Sequence, residues 1–271
     1  MPRLHFRSIW ISDLHLGTPN LENEQLLDFL QQSESEFLYL VGDIFDLLQA
    51  QKKWHWPEVN EQIVETIVNK AAHGTKVFYL PGNHDHILRL FSGSTFNNIR
   101  IQDQVIHETV DGRRYLVLHG DTFDPVVQHC PWLASIGSTL YEIMLIINSR
   151  LNRKRRRPKG NHWSISAWMK HRVKNAVNIL GRFDTMIVRK AAQHGVDGLI
   201  CGHIHRAGIR EVDNMLYTNA GDWVESCTAL AENHSGQLGI VEWRNQSPLE
   251  EAVTVSSYED LYRNRCLASP N

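Results

Sequence analysis

Short apolar runs alternate with amphipathic segments along most of the chain, and this alternation predicts the order of its strands and helices. The runs are rich in Val, Ile, Leu and aromatic residues, and each ends in a Gly-containing or polar loop, which is typical of buried strands. They are Phe6–Ser12, Phe37–Gly42, Lys76–Leu80, Tyr115–His119 and Gly198–Gly202. Between them, Asn23–Gln32 and Pro57–His73 carry apolar residues at helical spacing, with Pro57 suited to a first turn and Gly74 to a helix stop. This order predicts an α/β fold.

Beyond Gly202 the pattern changes to short strands that are separated by turn residues, which favours antiparallel pairing. These strands are Gly208–Val212, Leu216–Asn219, Thr228–Ala231 and Leu238–Trp243, the last two joined by a loop at Ser235-Gly236. Asp111-Gly112 predicts a further hairpin between Val105–Val110 and Tyr115–Leu118. Two sheets flanked by helices accommodate this arrangement best.

The strand rhythm stops between residues 126 and 193, where the pattern predicts a helical insertion or lid. Apolar residues recur there at steps of three and four, as in an amphipathic helix. They are Trp132, Ile136, Leu140, Ile143, Met144 and Ile147. The longest unbroken apolar run, Ile143 to Ile147, is far too short to span a bilayer. At 271 residues the chain therefore suggests one domain, 1–271, with an insertion over 126–193.

The net charge of −2 conceals a strongly basic segment. Eleven Lys and Arg residues and no acidic residue lie between Glu142 and Asp184, so the rest of the chain is acidic. Such a split predicts an anionic partner, which could be a membrane surface, a phosphorylated substrate or a nucleic acid. A pair of core-packing helices joined by a solvated basic loop is the alternative.

The cysteines and the amino-terminal sequence indicate the cellular compartment in which the protein is expected. Cys130, Cys201, Cys227 and Cys266 are far apart and form no C-x-x-C pair, which favours free thiols over a disulfide framework. The first predicted strand begins without a preceding signal-type segment. We therefore expect a cytoplasmic protein. Its basic insertion would allow it to bind peripherally to the inner membrane.

Five polar segments each follow a predicted strand, and their residue types suit a metal site. They are Asp13-Leu-His15, Gly42-Asp43-Ile-Phe-Asp46, Gly82-Asn83-His84-Asp85, His119-Gly120-Asp121 and Gly202-His203-Ile-His205. Because loops at the carboxyl ends of strands converge on one edge of an α/β sheet, these side chains are expected to meet. Mixed carboxylate, imidazole and amide ligands suit divalent Mn, Fe, Zn or Co.

These segments resemble, in order and with none missing, the motifs D-x-H, G-D-x-x-D, G-N-H-[DE], H and G-H-x-H of the calcineurin-like metallophosphoesterases. The resemblance implies a four-layer αββα sandwich with a lid and two divalent ions, Mn being favoured, that are bridged by Asp43. The implied ligands are Asp13, His15, Asp43 and His205 for one ion, and Asp43, Asn83, His119 and His203 for the other. Water activated between the ions would attack the phosphorus.

The same resemblance implies a catalytic role for His84. This side chain would act beside the leaving group as an acid or a charge stabiliser, and Asp46 would orient it by a hydrogen bond. Asp46 could equally be a structural turn residue.

Within that superfamily the chain is similar to the UDP-2,3-diacylglucosamine hydrolase group of lipid A biosynthesis. The similar stretches are His119–Asp124, Ser164–Lys174, Gly198–His205 and Asn219–Trp223. The resemblance implies a nucleotide-linked glycolipid pyrophosphate as substrate, with Asp124, Lys170 and Lys174 as candidate substrate contacts. One position departs from the pattern, since the best-known members have Arg where this chain has His84, as in general phosphodiesterases.

Two other hypotheses therefore stay open. His84 suggests a phosphodiesterase or phosphomonoesterase that acts on nucleotides or other small phosphate esters. The basic segment suggests an inactive metal-holding scaffold that binds nucleic acid. The complete ligand set disfavours the scaffold, because inactive relatives are expected to lose ligands. The pattern does not indicate an oligomeric state.

Overall fold

The computed structural model describes residues 4–18, 23–50, 55–123, 183–243 and 256–257. The chain divides into two compact units, of which the first comprises Met1–Gly120 with Val188–Asn271 and the second comprises Asp121–Ile187. In the second unit the described residues are 121–123 and 183–187. The single domain with an insertion over 126–193 stays a prediction.

The secondary structure alternates between strands and helices up to β3, as the apolar pattern predicts. The strands are β1 Leu4–Ile11, β2 Ser33–Val41, β3 Lys76–Leu80, β4 Thr95–Phe96, β5 Ile99–Ile101, β6 Val105–Glu108, β7 Arg114–Val117, β8 Gly198–Cys201, β9 Gly208–Val212, β10 Met215–Asn219, β11 Thr228–Glu232, β12 Leu238–Glu242 and β13 Ser256–Ser257. The helices are α1 Glu24–Gln32, α2 Leu47–Ala50 and α3 Glu58–Ala72, the 3-10 turns His86–Phe91 and Asp121–Phe123, and a helix over 183–192. Among the described residues, no helix is long and apolar enough to cross a membrane.

The strands form two mixed sheets. Eight strands lie in the order β13-β12-β11-β1-β2-β3-β5-β4, in which β1, β2, β3 and β5 run parallel. The other five lie in the order β6-β7-β8-β10-β9, with β7, β8 and β10 parallel. Two mixed sheets with flanking helices confirm the predicted α/β class.

Alternating side chains on the central strands build two separate cores. On β1, Ile9 and Ile11 join a cluster that includes Leu26 and Phe29 of α1 and Ile63 of α3. The opposite face of the same strands packs against the second sheet through an aromatic row. Its members are Trp10, Tyr39 and Phe78, which stack with centroid distances of 5.3 and 5.0 Å and meet Tyr115, Val117 and Ile200. The alternation explains why these strands read as continuously apolar, since both faces are buried.

Four of the five strands that precede the polar segments end one or two residues earlier than the apolar pattern predicts, whereas β3 ends at Leu80 as predicted. Predicted ends at Ser12, Gly42, His119 and Gly202 correspond to observed ends at Ile11, Val41, Val117 and Cys201. The ladder stops because the following chain leaves the extended conformation, as Gly42 does with a φ of 76°. The short strands β4 and β5 had no clear signal, because the residues at and around them are mostly polar or exposed.

A buried polar network links the two sheets. Glu232 on β11 is fully buried and accepts hydrogen bonds from Arg7 Nη1 at 2.9 Å and Ser8 Oγ at 2.7 Å. His107 on β6 places Nε2 2.9 Å from Glu232 Oε2 and Nδ1 2.8 Å from Tyr39 Oη. Burial alone would raise the pKa of Glu232, but the hydrogen bonds from His107 and Ser8 hold it below its usual value. The carboxylate is therefore charged and fully paired in the folded protein.

Replacing Gly198 tests the close approach of strands in the second sheet. An added Cβ would lie 2.5 Å from Tyr115 Cε1 and 2.7 Å from the Leu216 carbonyl oxygen, so Gly198→Ala should destabilise the fold by about 2 kcal/mol. Gly208→Ala on the edge strand β9 meets only Arg210 Nη1 at 3.9 Å and should change stability by less than about 0.5 kcal/mol. Urea denaturation measures both, and equal stabilities would contradict the packing.

Glu232→Gln tests the network through its pH dependence. Because the folded protein lowers the pKa of Glu232, its carboxylate stabilises the fold above the unfolded pKa, and this contribution is lost as pH falls through the folded pKa. The variant should be about 3 kcal/mol less stable at pH 7, and the difference should shrink below pH 4.5. Glu36→Gln is the control, since Glu36 is exposed. A difference that is independent of pH would refute this role.

Candidate metal centre

The five polar segments all lie directly after parallel strands, as predicted. They follow β1, β2 and β3 of the first sheet and β7 and β8 of the second. Within the first sheet, Asp13 N donates to the Gly42 carbonyl at 3.0 Å and His15 N to the Asp43 carbonyl at 2.9 Å. In the second sheet, Gly202 N donates to the His119 carbonyl at 3.1 Å. These backbone bonds hold neighbouring loops together in pairs.

Two buried carboxylates are each held by a backbone N–H from another loop. Asp13 Oδ2 accepts from His203 N at 2.9 Å, and this bond joins the first sheet to the second. Asp43 Oδ1 accepts from His84 N at 2.8 Å. The second oxygen of each carboxylate lies near imidazoles: Asp13 Oδ1 is 3.2 Å from His205 Nε2, and Asp43 Oδ2 is 3.5 Å from His119 Nε2.

Possible ligand atoms gather in three groups, two of which share His15, and the atoms of each group lie within 4.8 Å of one another. The groups are Asp13 with His15 and His205, Asp43 with His119 and His203, and His15 with Asp46 and His84. Asp43 Oδ2 also lies 3.9 Å from His15 Nε2, so this carboxylate stands between the first two groups. The geometry thus brings together every His and Asp predicted as a ligand.

The backbone of the cluster is strained. Among the described residues, the non-glycine positions with positive φ include five at this site: Asp13, His15, Asp43, His203 and His205, with φ between 48° and 70°. The other positions are the turn pairs Asn97-Asn98 and Asp213-Asn214, together with Cys227. Such left-handed residues cost on the order of 1–3 kcal/mol each and concentrate at functional sites. The strain therefore points to a function for this cluster.

His119 is oriented by its backbone contact. Its Nδ1 lies 2.8 Å from the Val41 carbonyl, which can only accept, so Nδ1 carries the proton and the lone pair of the neutral ring is on Nε2. Gly42 makes room for the ring, because an added Cβ would lie 2.2 Å from His119 Nδ1. This tautomer is the one that presents Nε2 to a cation.

His84 and Asp46 form a hydrogen-bonded pair beside the cluster. His84 Nδ1 lies 2.9 Å from Asp46 Oδ1, and Asp46 Oδ2 accepts from Thr18 Oγ1 at 2.7 Å. Asp46 Oδ1 also accepts from Gln49 N at 3.0 Å and so caps the short helix α2. Asp46 therefore has the contacts of a turn residue and of a partner of His84 at once.

Histidines control the charge of the carboxylates. Burial alone would raise the pKa of Asp13 and of Asp43, but His205 and His119 respectively outweigh it and hold each pKa below its usual value. Burial acts in the same direction on Asp46, where the neighbouring imidazoles of His15 and His84 prevail and lower the pKa. Burial lowers and Asp46 raises the pKa of His84, and the net shift is upward. Three carboxylates are thus anionic in a small volume.

Buried polar atoms at this site fit a metal. Within the part of the chain that the structure describes, His15 Nε2 and Asn83 Oδ1 are buried without a hydrogen-bond partner. Buried polar groups are nearly always satisfied, so exceptions call for a bound ion or water. Imidazole nitrogens, carboxylates and one amide oxygen are the donor set that divalent transition metals accept.

Asp85 is a buried site residue to which the sequence assigned no role. Its Oδ2 accepts from Ile44 N at 2.8 Å and from the Tyr79 hydroxyl, and its Oδ1 accepts from Gly82 N at 2.6 Å. Burial raises its pKa, and the charge of Asp43 adds to the shift. Asp85 therefore ties the β2 loop to the β3 loop. Its place in Gly82–Asp85 was the available signal, but the contact that links the two loops comes from Ile44, which is 41 positions away in the sequence.

Three predicted substrate contacts cannot be placed. Asp124, Lys170 and Lys174 lie outside the described residues. Their role in substrate binding stays a prediction.

Comparison with known proteins agrees with this geometry. The chain matches the calcineurin-like phosphoesterase family over residues 6–207, which includes all five polar segments. The match confirms the resemblance on which the ligand set was predicted. Together with the clusters of possible ligands it indicates divalent metal ions.

Curated relatives and solved structures extend the comparison. The protein named UDP-2,3-diacylglucosamine hydrolase of Haemophilus influenzae strain PittGG is 26% identical over 87% of this chain and 98% of its own length. The protein of that name from Azotobacter vinelandii is 28% identical over 84% and 95%. Vps29 of Chaetomium thermophilum aligns over 94% of this chain and 95% of its own, with 10% identity and a TM-score of 0.44, too low to support an argument. The family match over most of the chain decides the assignment: this protein belongs to the calcineurin-like phosphoesterases and is a metal-dependent hydrolase of phosphoric esters.

Proposed function

We propose that this protein is a dinuclear phosphohydrolase that cleaves the pyrophosphate of a nucleotide-linked glycolipid, releasing UMP from a substrate of the UDP-2,3-diacylglucosamine type. The observation that carries the dinuclear part is the position of Asp43, whose Oδ2 lies between His119 of one ligand group and His15 of the other. A carboxylate in that position is what two neighbouring cations require.

The ligand assignment follows the two groups that contain Asp13 and Asp43. One ion would be held by Asp13, His15, Asp43 and His205. The other would be held by Asp43, His119 and His203, together with the amide oxygen of Asn83. Asn83 directly precedes His84, whose backbone N–H donates to Asp43. The donor set accepts Mn, Fe, Zn or Co, and we favour Mn.

Divalent ions bound there would lower the pKa of a water molecule toward neutrality and neutralise phosphate oxygens. The protein's own part is to keep its ligands deprotonated and in place. Asp13 and Asp43 are held anionic by their histidine neighbours, and each is oriented by a backbone N–H. The strained loops hold this geometry before substrate arrives, which is the form of preorganisation that electrostatic catalysis needs.

His84 has the contacts of a general acid. Its Nδ1 is engaged with Asp46, which leaves Nε2 as the atom that can deliver a proton to the leaving oxygen. Asp46 sets the orientation of the ring and raises the pKa of His84 against the effect of burial, so the proton is retained at a higher pH. General acid catalysis of this kind contributes roughly 10²- to 10⁴-fold.

The glycolipid substrate is supported by the curated relatives, which are named UDP-2,3-diacylglucosamine hydrolase. They align with this chain over nearly their whole length. The amphipathic segment with Trp132 and Ile136 and the basic run that follows suit acyl chains and anionic headgroups. Asp124, Lys170 and Lys174 are the residues we propose for substrate contact. Such an enzyme would work in the cytoplasm, peripherally at the inner membrane.

His84 favours a second candidate function. The resemblance to the glycolipid hydrolases implies Arg at this position, whereas this chain has His84, as the general phosphodiesterase pattern does. A nucleotide phosphodiesterase or phosphomonoesterase would use the same metal centre and the same His84–Asp46 pair. The two functions differ in whether acyl chains contribute to binding.

The substrate is tested by comparing UDP-2,3-diacylglucosamine with the same nucleotide sugar lacking acyl chains, in detergent and with Mn²⁺. The acylated substrate should have a kcat/KM at least about tenfold higher, since each buried methylene contributes about 0.8 kcal/mol. Release of UMP is measured, and an Asp43→Ala preparation is the inactive control. Equal rates would support the nucleotide phosphodiesterase. Hydrolysis of bis(4-nitrophenyl) phosphate without UMP release would refute the glycolipid substrate.

Proton donation by His84 is tested with leaving groups of different basicity. For a leaving group of high pKa, His84→Gln should lower kcat about 10²-fold or more. For 4-nitrophenolate, which leaves without a proton, the loss should be much smaller. His73→Gln is the matched control, since His73 is an exposed residue that lies at the end of α3. An equal loss on both kinds of ester would contradict the acid role.

A further inference from the structure

Asn219 ends β10 and is fully buried, yet it belongs to none of the ligand groups. Its side-chain Nδ2 donates to the Gly202 carbonyl at 2.6 Å, at the residue that precedes His203. Its Oδ1 accepts from Gly221 N at 2.9 Å. One amide side chain therefore ties the β8 loop to the loop that leaves β10.

The loop that leaves β10, residues 219–223, reaches the first sheet as well. Ser12 Oγ donates to the Gly221 carbonyl at 2.8 Å, and Trp223 N donates to the Asp13 carbonyl at 3.2 Å. We call residues 219–223 the bracket, because they contact both Asp13 and the residue before His203. The bracket thus links ligand segments that belong to different sheets.

The bracket is itself made rigid by a side chain. Asp222 Oδ1 accepts from the backbone N–H groups of Val224 at 3.0 Å, Glu225 at 2.6 Å and Ser226 at 3.2 Å. Thr228 closes the loop, since its N–H donates to the Asp222 carbonyl at 3.0 Å. Because these backbone groups are hydrogen-bonded within the loop, the bracket holds a single conformation. Its contacts to the neighbouring loops are therefore fixed in position.

The distance between Asp13 and the β8 loop decides whether the ligand atoms can meet. His203 N reaches Asp13 Oδ2 at 2.9 Å and His205 Nε2 reaches Asp13 Oδ1 at 3.2 Å. β1 and β8 lie in different sheets and share no ladder, so strand pairing does not hold these segments together. We propose that Asn219 is a positioning residue of the metal centre, which sets the spacing of Asp13 and His203 through the bracket. This inference rests on the proposed metal centre and adds a residue that acts through its neighbours.

The chemistry of the contact calls for an amide. Gly202 offers a carbonyl and Gly221 an N–H, so the side chain between them must donate and accept at once. Aspartate would keep the bond from Gly221 but set a carboxylate against the Gly202 carbonyl. Alanine would leave the Gly221 N–H without this acceptor, which is costly, and would leave the Gly202 carbonyl with the bond from Ile204 N alone to set its position.

The test compares Asn219→Ala with Thr218→Ala in the full-length chain. Thr218 is the matched control, since it is also fully buried on β10 and its hydroxyl donates to the Leu199 carbonyl of β8 at 2.8 Å, away from the ligand segments. Mn²⁺ binding is followed by the electron paramagnetic resonance signal of the free ion. Asn219→Ala should weaken Mn²⁺ binding by roughly 10- to 100-fold, whereas Thr218→Ala should leave it near the wild-type value.

Kinetics with bis(4-nitrophenyl) phosphate give a second readout. Asn219→Ala should lower kcat at limiting Mn²⁺ with little change in KM, and excess Mn²⁺ should restore much of the loss. Asn219→Asp, which keeps the bond from Gly221, should lie nearer to alanine than to wild type, because the contact to Gly202 is lost. If Asn219→Ala does not fold, Ser12→Ala removes the other end of the bracket and should weaken Mn²⁺ binding in the same direction.

The outcomes are distinguishable. If the wild type binds Mn²⁺ and hydrolyses the ester while Asn219→Ala and Thr218→Ala behave alike in both assays, the positioning role is overturned and the proposed function stands. If the wild type neither binds Mn²⁺ nor hydrolyses phosphate esters, the proposed function fails and this inference fails with it. Weaker Mn²⁺ binding that is confined to the bracket variants supports the inference.

Discussion

The hydrogen bond from His203 N to Asp13 Oδ2 is the interaction on which the site depends. It joins the end of β8 in the second sheet to the end of β1 in the first. By engaging one oxygen of Asp13 it turns the other toward His205. The two halves of the ligand set become one cluster only because two independent sheets are held at this separation. The aromatic row of Trp10, Tyr39 and Phe78 keeps the sheets apart at the distance of packed side chains.

Bringing these groups together is costly without a cation. The charge of Asp43 opposes ionisation of Asp13, and burial opposes ionisation of both. The neighbouring histidines outweigh these effects and keep both carboxylates ionised, and bound cations would stabilise the carboxylates further. Five left-handed residues add backbone strain to this electrostatic cost. The buried charges and the strained backbone both destabilise the fold. Their presence together is best explained by a function at this edge of the sheets.

Several features of the fold and the site could be predicted from local patterns. Apolar runs identified β1, β2, β3, β7 and β8, since strands buried on both faces have an unmistakable composition. The polar segments at their ends predicted the candidate ligands, because ligand types follow from chemistry and their convergence from the parallel arrangement. The exact strand ends were less predictable, since the departure from the ladder depends on conformations such as that of Gly42. The pairing of β11 with β1 had no local signal, because it joins residues more than 200 positions apart.

Read alone, the amino-acid sequence predicted which side chains are the candidate ligands and that they lie at strand ends. Both follow from residue type and from apolar periodicity over a few neighbours. The tertiary structure alone decided that Asp43 stands between two groups of histidines, that Asp85 binds the N–H of Ile44, and that Asn219 ties Gly202 to Gly221. These contacts are hydrogen bonds and close approaches between loops that meet only when strands distant in sequence have paired and the sheets have packed. Their geometry depends on the separation of whole strands, which no local pattern of residues encodes.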